Sequence, residues 1–149
     1  MHKLQPEQVL DSEYSGQFGK ESDFDEDFIK KLLKEWHFKY QYQHPIKFCV
    51  GTQSHHCRVD FLVSDEKGPL TIFENKLRII NERDLKPAVD QARSYALLLS
   101  LPSFVVASPE KILIYKLKGG KEDRVYECQT DRVEKQNEEM RKILLSLRG

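Results

Sequence analysis

Cys57-Arg58-Val59-Asp60-Phe61-Leu62-Val63 and Leu70-Thr71-Ile72-Phe73-Glu74-Asn75-Lys76 are two short β-prone runs joined by Ser64-Asp65-Glu66-Lys67-Gly68-Pro69. The polar middle, with its glycine and proline, reads as a turn, so the pair predicts a hairpin. Folded symmetrically about Lys67, that hairpin sets Asp60 directly opposite Glu74, at a Cβ separation of about 4.5–5.5 Å. Alternation then puts Lys76 on the face of Glu74, with Arg58 across from it. Leu62, Leu70 and Ile72 lie farther along that face. The face passes from apolar side chains to two carboxylates and an ammonium at one end.

Two carboxylates held that close repel each other unless a proton or a cation sits between them. A hard divalent ion such as Mg²⁺, bound by one or two carboxylates and several waters, meets that need. An ammonium beside it can orient a water or stabilise charge growing on a phosphate. The same residues also read as an ordinary charged sheet end, with Glu74 paired to Lys76 or Arg58 at little net worth.

The chain of 149 residues is enough for one domain with a real core. Its 24 basic and 24 acidic side chains balance, so any basic surface must be local. The best apolar run, Ala96 to Ala107, is broken by Ser100, Pro102 and Ser103 and is too short to span a bilayer. Met1 to Glu7 contains no apolar segment of signal-peptide type. Cys49, Cys57 and Cys128, an odd number without CxxC spacing, suit a reducing cytoplasm. His55-His56-Cys57 is a poor zinc site, because adjacent strand residues point to opposite faces and no second ligand pair follows.

Residues 1–20 are polar and read as an N-terminal arm, leaving 21–149 as a single domain. Glu21 to Trp36 predicts a helix capped by Ser22 or Asp23, with acids in its first turn and an apolar stripe of Phe24, Phe28, Ile29, Leu32 and Trp36. Glu21 by itself reads as a first-turn acid. Ile46 to Val50 predicts a strand leading into the hairpin. After a loop holding Arg78 and Arg83, a second helix is expected from about Leu85 to Leu99, capped by Asp84, with Pro87 in its first turn. Ala88, Ala92, Tyr95 and Leu99 share its inward side, and Gln91 lies one turn before Tyr95. Gln91 is either a satisfied structural amide or a group reaching the carboxylates. Ser103 to Ala107 and Ile112 to Leu117 read as buried strands, and Val125 to Cys128 as a short edge strand. A last helix from Asp131, with Glu134 completing a capping box, carries Val133, Met140, Ile143, Leu144 and Leu147. Such a stripe is core or a homodimer face.

Asp60, then Glu74-Asn75-Lys76, then Gln91-Ala92-Arg93-Ser94-Tyr95, resembles the PD-(D/E)XK nuclease superfamily and looks closest to the N-terminal nuclease domain of type I restriction R subunits. The acid after Arg58-Val59, the E-x-K strand and the Q-x-x-x-Y helix all occur in the family's order. Glu21 before Phe28-Ile29 is similar to the family's first-helix glutamate, and Phe104 to Ser108 with Ile112 to Tyr115 fits its closing hairpin. The match covers roughly residues 21–117. The loop before Asp60 is poorer in glycine than the family's. The chain ends at 149, where the R subunits carry a helicase motor, so a free-standing restriction, defence or mobile-element nuclease is expected.

The resemblance implies a restriction-endonuclease-like α-β-β-β-α-β core, an α/β fold with a mixed central sheet flanked by helices, plus a C-terminal helix. It also implies a metal-dependent DNA endonuclease that hydrolyses phosphodiester bonds. Asp60 and Glu74 would hold Mg²⁺, with Mn²⁺ substituting, helped by the carbonyl of Asn75. Lys76 would position the attacking water or stabilise charge, Glu21 would bind metal-coordinated water or a second ion, and Gln91 would hold Lys76 or a phosphate. Arg78, Arg83, Lys86 and Arg93 could meet backbone phosphates, or form a solvated face interleaved with Glu82, Asp84 and Asp90. A double-strand cut implies a homodimer or larger assembly. The other reading is a nuclease-fold module that binds DNA or a protein partner without cutting.

Overall fold

The computed structural model describes residues 21–148, so the expected arm over 1–20 lies outside the described residues. The β-prone runs assemble into one six-stranded sheet in the order β1-β2-β3-β4-β5-β6. The strands are β1 (Lys39–Val50), β2 (Gln53–Asp65), β3 (Gly68–Asn75), β4 (Ser103–Ala107), β5 (Lys111–Lys118) and β6 (Lys121–Gln129). All neighbours run antiparallel except β3 and β4. That parallel pair needs a long crossover, and helix α2 (Glu82–Leu98) supplies it. Helix α1 runs through Glu21–Phe24, a π-helical stretch Asp25–Ile29, and Lys30–Glu35. Helix α3 is Val133–Ser146.

Strand alternation divides the core in two. Phe61, Phe73, Val105 and Ile114 meet Leu33 and Trp36 of the α1 side and Met140 and Leu144 of α3. Leu62, Ile72, Val106 and Leu113 meet Leu85, Ala88, Ala92 and Ala96 of α2. The result is the expected α-β-β-β-α-β core with a mixed sheet between helical layers, extended by β5's partner β6 and the C-terminal helix. The apolar stripe of α3 is spent on this core, since Val133, Met140 and Leu144 are buried in it. Among the described residues, no helix is long and apolar enough to cross a membrane.

The central hairpin reaches the expected register by an unexpected route. Its turn is much tighter than the six residues read from sequence, because β2 runs to Asp65 and β3 begins at Gly68, whose φ of 119° suits glycine. Asp65 faces Gly68 and Ser64 faces Pro69, a spacing that would carry Asp60 to Phe73. A shift between Val63 and Ser64 leaves Leu70 unpaired, and the ladder resumes at Val63↔Thr71, Leu62↔Ile72 and Phe61↔Phe73. This bulge adds the one residue that aligns Asp60 with Glu74. It also turns Leu70 to the α1 side, away from Leu62 and Ile72, contrary to simple alternation. Arg148 closes the turn, donating to the Asp65 carboxylate and, at 2.9 Å, to the Gly68 carbonyl.

Other differences are local. β1 starts at Lys39 rather than Ile46 and accommodates Pro45, because it is an edge strand. β6 is longer than the expected Val125–Cys128. The cap of α2 is Asn81, whose side chain accepts from the Asp84 amide at 3.0 Å, while Asp84 accepts from the Ile80 amide at 3.1 Å. The two form a reciprocal cap that starts the helix at Glu82 and moves Pro87 into its second turn. Asp131 makes no cap, since Thr130–Arg132 form a 3₁₀ turn and α3 begins after it without a side-chain cap bond.

Candidate active site

The β2–β3 ladder stops at Phe61↔Phe73, one position short of the carboxylates. Beyond it, β2 continues along β1 to Gln53↔Val50, while β3 pairs with β4 through Asn75↔Ala107. Glu74 is buried and Asp60 half-buried where the two strands part. Asp60 Oδ2 accepts the Asn75 amide at 2.6 Å, a side-chain bond placed where the ladder has ended. Burial, and after it the charge of Asp60, push the Glu74 carboxyl up to about 8, against the opposing pull of Lys76 and the Asp60 amide. The pair therefore retains a proton at neutral pH. The residue of β1 that faces Asp60, Gln43, has φ 56°, a left-handed conformation uncommon for a side-chain-bearing residue, and the β1–β2 pairing skips this position.

On the α2 side, Lys76 Nζ donates to Gln91 Oε1 at 3.1 Å. Gln91 Nε2 in turn donates to Tyr95 Oη at 2.8 Å. Gln91 is thus a satisfied amide whose bonds go to Lys76 and Tyr95, not to Asp60 or Glu74. Tyr95 is half-buried rather than a core ring. Burial raises its phenol, with Cys57 and Glu74 close enough to add to the shift. The main-chain amide of Lys76 is fixed by the Ala107 carbonyl at 2.8 Å.

On the α1 side the neighbouring residue points the other way. Asn75 Nδ2 donates to Asp25 Oδ1 at 2.6 Å, and Tyr42 Oη donates to Asp25 Oδ2 at 3.0 Å. Asp25 is only 3% exposed. Burial raises its pKa, and the bonds from Asn75 and Tyr42 and the charge of Lys30 oppose that rise. Asp25 opens the π-helical stretch, a form of helix found most often as a single wide turn at functional sites. Sequence reasoning read the acids of this turn as macrodipole partners and missed Asp25. The signal was present, because Asp25 lies four residues before Ile29 and seven before Leu32, on the apolar stripe, where a solvated acid does not belong. The side chain of Glu21, the first-helix acid expected from sequence, lies outside the described residues.

The four basic candidates differ in what they meet. Arg83 is exposed in the first turn of α2, and Arg78 is half-buried in the loop before it. Lys86 pairs with Asp90 at 3.3 Å. Arg93 is held between Glu122 of β6 at 2.7 Å and Asp90 at 3.1 Å.

Asp60 and Glu74 are the carboxylates that could hold a cation. On the α1 side, with the rest of its side chain, Asn75 Oδ1 is buried without a hydrogen-bond partner among the described residues. Among those residues no group of three or more His, Cys, Asp or Glu side chains is assembled for a metal. Two close carboxylates that retain a proton at neutral pH fit a hard ion that keeps most of its waters.

No protein-family model and no curated protein matches the chain. Among solved structures it is similar to a cryo-EM DrdV–DNA complex, with a TM-score of 0.54 and 12% identity over 95% of this chain and 13% of that one. It is also similar to a fragment of a putative HsdR subunit of a type I restriction enzyme from Vibrio vulnificus YJ016, with a TM-score of 0.47 and 20% identity over 77% of this chain and 24% of that one. The chain thus spans a minor part of each neighbour. The fold is restriction-endonuclease-like.

Proposed function

We propose that this chain is a metal-dependent deoxyribonuclease with a centre of PD-(D/E)XK type. The observation that carries this reading is the Asp60–Glu74 pair, brought together by the Leu70 bulge, with Lys76 two residues on from Glu74, just past the end of β3. Asp60 and Glu74 would hold Mg²⁺, or Mn²⁺ in its place, with the Asn75 carbonyl as a further oxygen. When bound, the ion supplies Lewis-acid polarisation of a phosphoryl oxygen and a more acidic water.

The remaining work falls to the chain. As the bond from water to phosphorus forms and the bond to the leaving sugar oxygen breaks, negative charge on the phosphate oxygens rises, and the Lys76 ammonium meets it. Gln91 fixes where that ammonium points, and Tyr95 fixes Gln91. Asn75 ties the carboxylate strand to Asp25 on the far side. Arg78, Arg83, Lys86 and Arg93, in the loop and helix that follow the site, are the candidates to meet backbone phosphates. A double-strand cut then takes two copies, or two encounters.

A module that binds without cutting is the second reading. It is favoured by the absence, among the described residues, of a third metal-ligating side chain at the pair. One assay separates the two. Purified protein incubated with plasmid and branched DNA in Mg²⁺ or Mn²⁺ is expected to cleave, and to stop in EDTA. Lys76→Ala should lower the rate by about 10²–10³-fold, the scale of losing one preorganised charge partner. A wild-type preparation that binds DNA yet leaves every substrate intact with both ions would overturn the nuclease reading.

A further inference from the structure

The β1–β2 hairpin outgrows the sheet. β3 accompanies β2 only over Phe61 to Asp65, whereas β1 accompanies it to the Gly51-Thr52 tip. From Asp60 outward the protein is a two-stranded ribbon, and seven residue steps at strand rise give it a length of about 24 Å. A lone hairpin is marginal in water. Here one face secures it, because Ile46 and Val59 are buried, and Phe48 and Cys57 partly so, against the α2-side core. The other face carries Pro45 opposite Arg58, Lys47 opposite His56, and Cys49 opposite Ser54, all six exposed.

The ribbon's charge is one-sided. The chain carries 24 acids in 149 residues, yet none falls between Trp36 and Val59. The same stretch holds Lys39, Lys47 and Arg58 and four of the five histidines, His37, His44, His55 and His56. Among the described residues, Lys47 and Arg58 have no carboxylate partner, unlike Lys86, which has one, and Arg93, which has two. An edge strand without acids, built into a ribbon with one open face, is complementary to a polyanion. Its base is Asp60, so the ribbon starts at the candidate centre, with its open face turned away from α2.

We propose that this ribbon enters the major groove of duplex DNA next to the candidate centre, with Arg58 and Lys47 on the phosphates that border the groove. The proposal rests on the nuclease reading for its choice of polymer and adds the form of the substrate. A B-form major groove, about 12 Å wide, admits a two-stranded ribbon. The A-form groove of double-stranded RNA is too narrow for side chains to read. The ribbon points one way from the centre, and its length spans about seven base pairs at 3.4 Å each. Contacts are therefore expected on one side of the cut.

Binding is measured by fluorescence anisotropy in EDTA, so that cleavage plays no part. Probes are a 24-base-pair DNA duplex, the same sequence as double-stranded RNA, and its single strand. Wild type should prefer duplex DNA. Lys47→Ala/Arg58→Ala should weaken that binding roughly 10- to 60-fold at 0.1 M salt and reduce the salt slope by about two units, as expected for two lost phosphate contacts. Lys118→Ala/Lys121→Ala, at the opposite edge of the sheet, should change neither. Equal affinity for double-stranded RNA, or a ribbon variant that binds like wild type, overturns the proposal. So does a ribbon variant that alters sedimentation but not DNA affinity, which would make the ribbon a contact between copies. Ribbon-dependent DNA binding by a wild type that does not cleave with Mg²⁺ or Mn²⁺ supports the ribbon and sinks the nuclease reading alone. Cleavage that survives the double variant with unchanged binding does the reverse.

Discussion

The two sides of the β2–β3 junction treat the same strand end in opposite ways. On the α1 side, Asn75 and Tyr42 both donate to buried Asp25, and on that side Phe73 and Trp36 pack at 6.4 Å between ring centroids. On the α2 side, one residue along, Lys76 reaches an exposed glutamine. Consecutive residues of a strand point to opposite faces, so one pleat delivers both arrangements. The dry side holds the strand in place and the wet side presents it. Stability should therefore respond to changes on the α1 side, and reactivity to changes on the α2 side.

The largest effect on stability is expected from Phe73→Ala. The ring is fully buried, and removing a core aromatic costs about 3–5 kcal/mol through lost transfer energy and the cavity left behind. Chemical denaturation would measure it, and a loss below about 1 kcal/mol would mean that the α1 side does not carry the fold. Next comes Asn75→Ala, which leaves the buried Asp25 carboxyl short of its 2.6 Å donor. Orphaning a buried polar group costs about 1–3 kcal/mol. Because burial already raises Asp25, removing a bond that lowers it should raise it further. The mutant's deficit should then shrink in acid, where Asp25 is neutral in folded and unfolded chains alike. A deficit independent of pH would assign the loss to packing.

This division was only half legible in the sequence. Alternation alone places Glu74 and Lys76 on one face, and the i, i+4 spacing of Gln91 and Tyr95 sets both on one side of a helix, so the α2 side could be read directly. The α1 side could not. Asp25 is one of four acids between Asp23 and Asp27; its place on the apolar stripe marks it as buried, but neither its partners Asn75 and Tyr42 nor its π-helical turn shows in the local spacing. The opposition of Asp60 and Glu74 came from a turn centred on Lys67, whereas the molecule combines a tighter turn with a bulge at Leu70. The two differences cancel. A bulge is fixed by packing and by partners such as Arg148, more than eighty residues distant in the chain, and local pattern carries no trace of it.

Glu74 offers a test through pH. Its carboxyl is raised from 4.5 to about 8 in the folded protein. Between those values the folded chain binds the proton that the unfolded chain has released, so stability should fall as pH rises through that window, at no more than about 1.4 kcal/mol per pH unit. Glu74→Gln should flatten that segment of the curve. Mn²⁺ should stabilise the wild type more at pH 8 than at pH 6, because the ion displaces the shared proton, and thermal shift at both pH values would show it. A response to Mn²⁺ that survives Asp60→Asn unchanged would move the cation elsewhere.

The smallest stability effect, and the sharpest use of the comparison, belongs to Gln91→Ala. The side chain is exposed, so its loss should shift unfolding by no more than about 0.5 kcal/mol. Its 3.1 Å bond to Lys76 is nevertheless the contact that decides where the ammonium sits. On the nuclease reading proposed above, Lys76 freed of it samples rotamers that miss the phosphate, and a displacement of about 1 Å is enough to cost up to about 10²-fold in rate. The loss should fall on kcat, with KM little changed, because Gln91 positions another residue rather than gripping the substrate. Gln91→Glu keeps an acceptor at the same reach and should recover much of the rate. A fall in KM-type binding with kcat intact would instead make Gln91 a phosphate contact. A folded Gln91→Ala protein that cleaves at the wild-type rate would show that the wet side of the junction needs only Lys76.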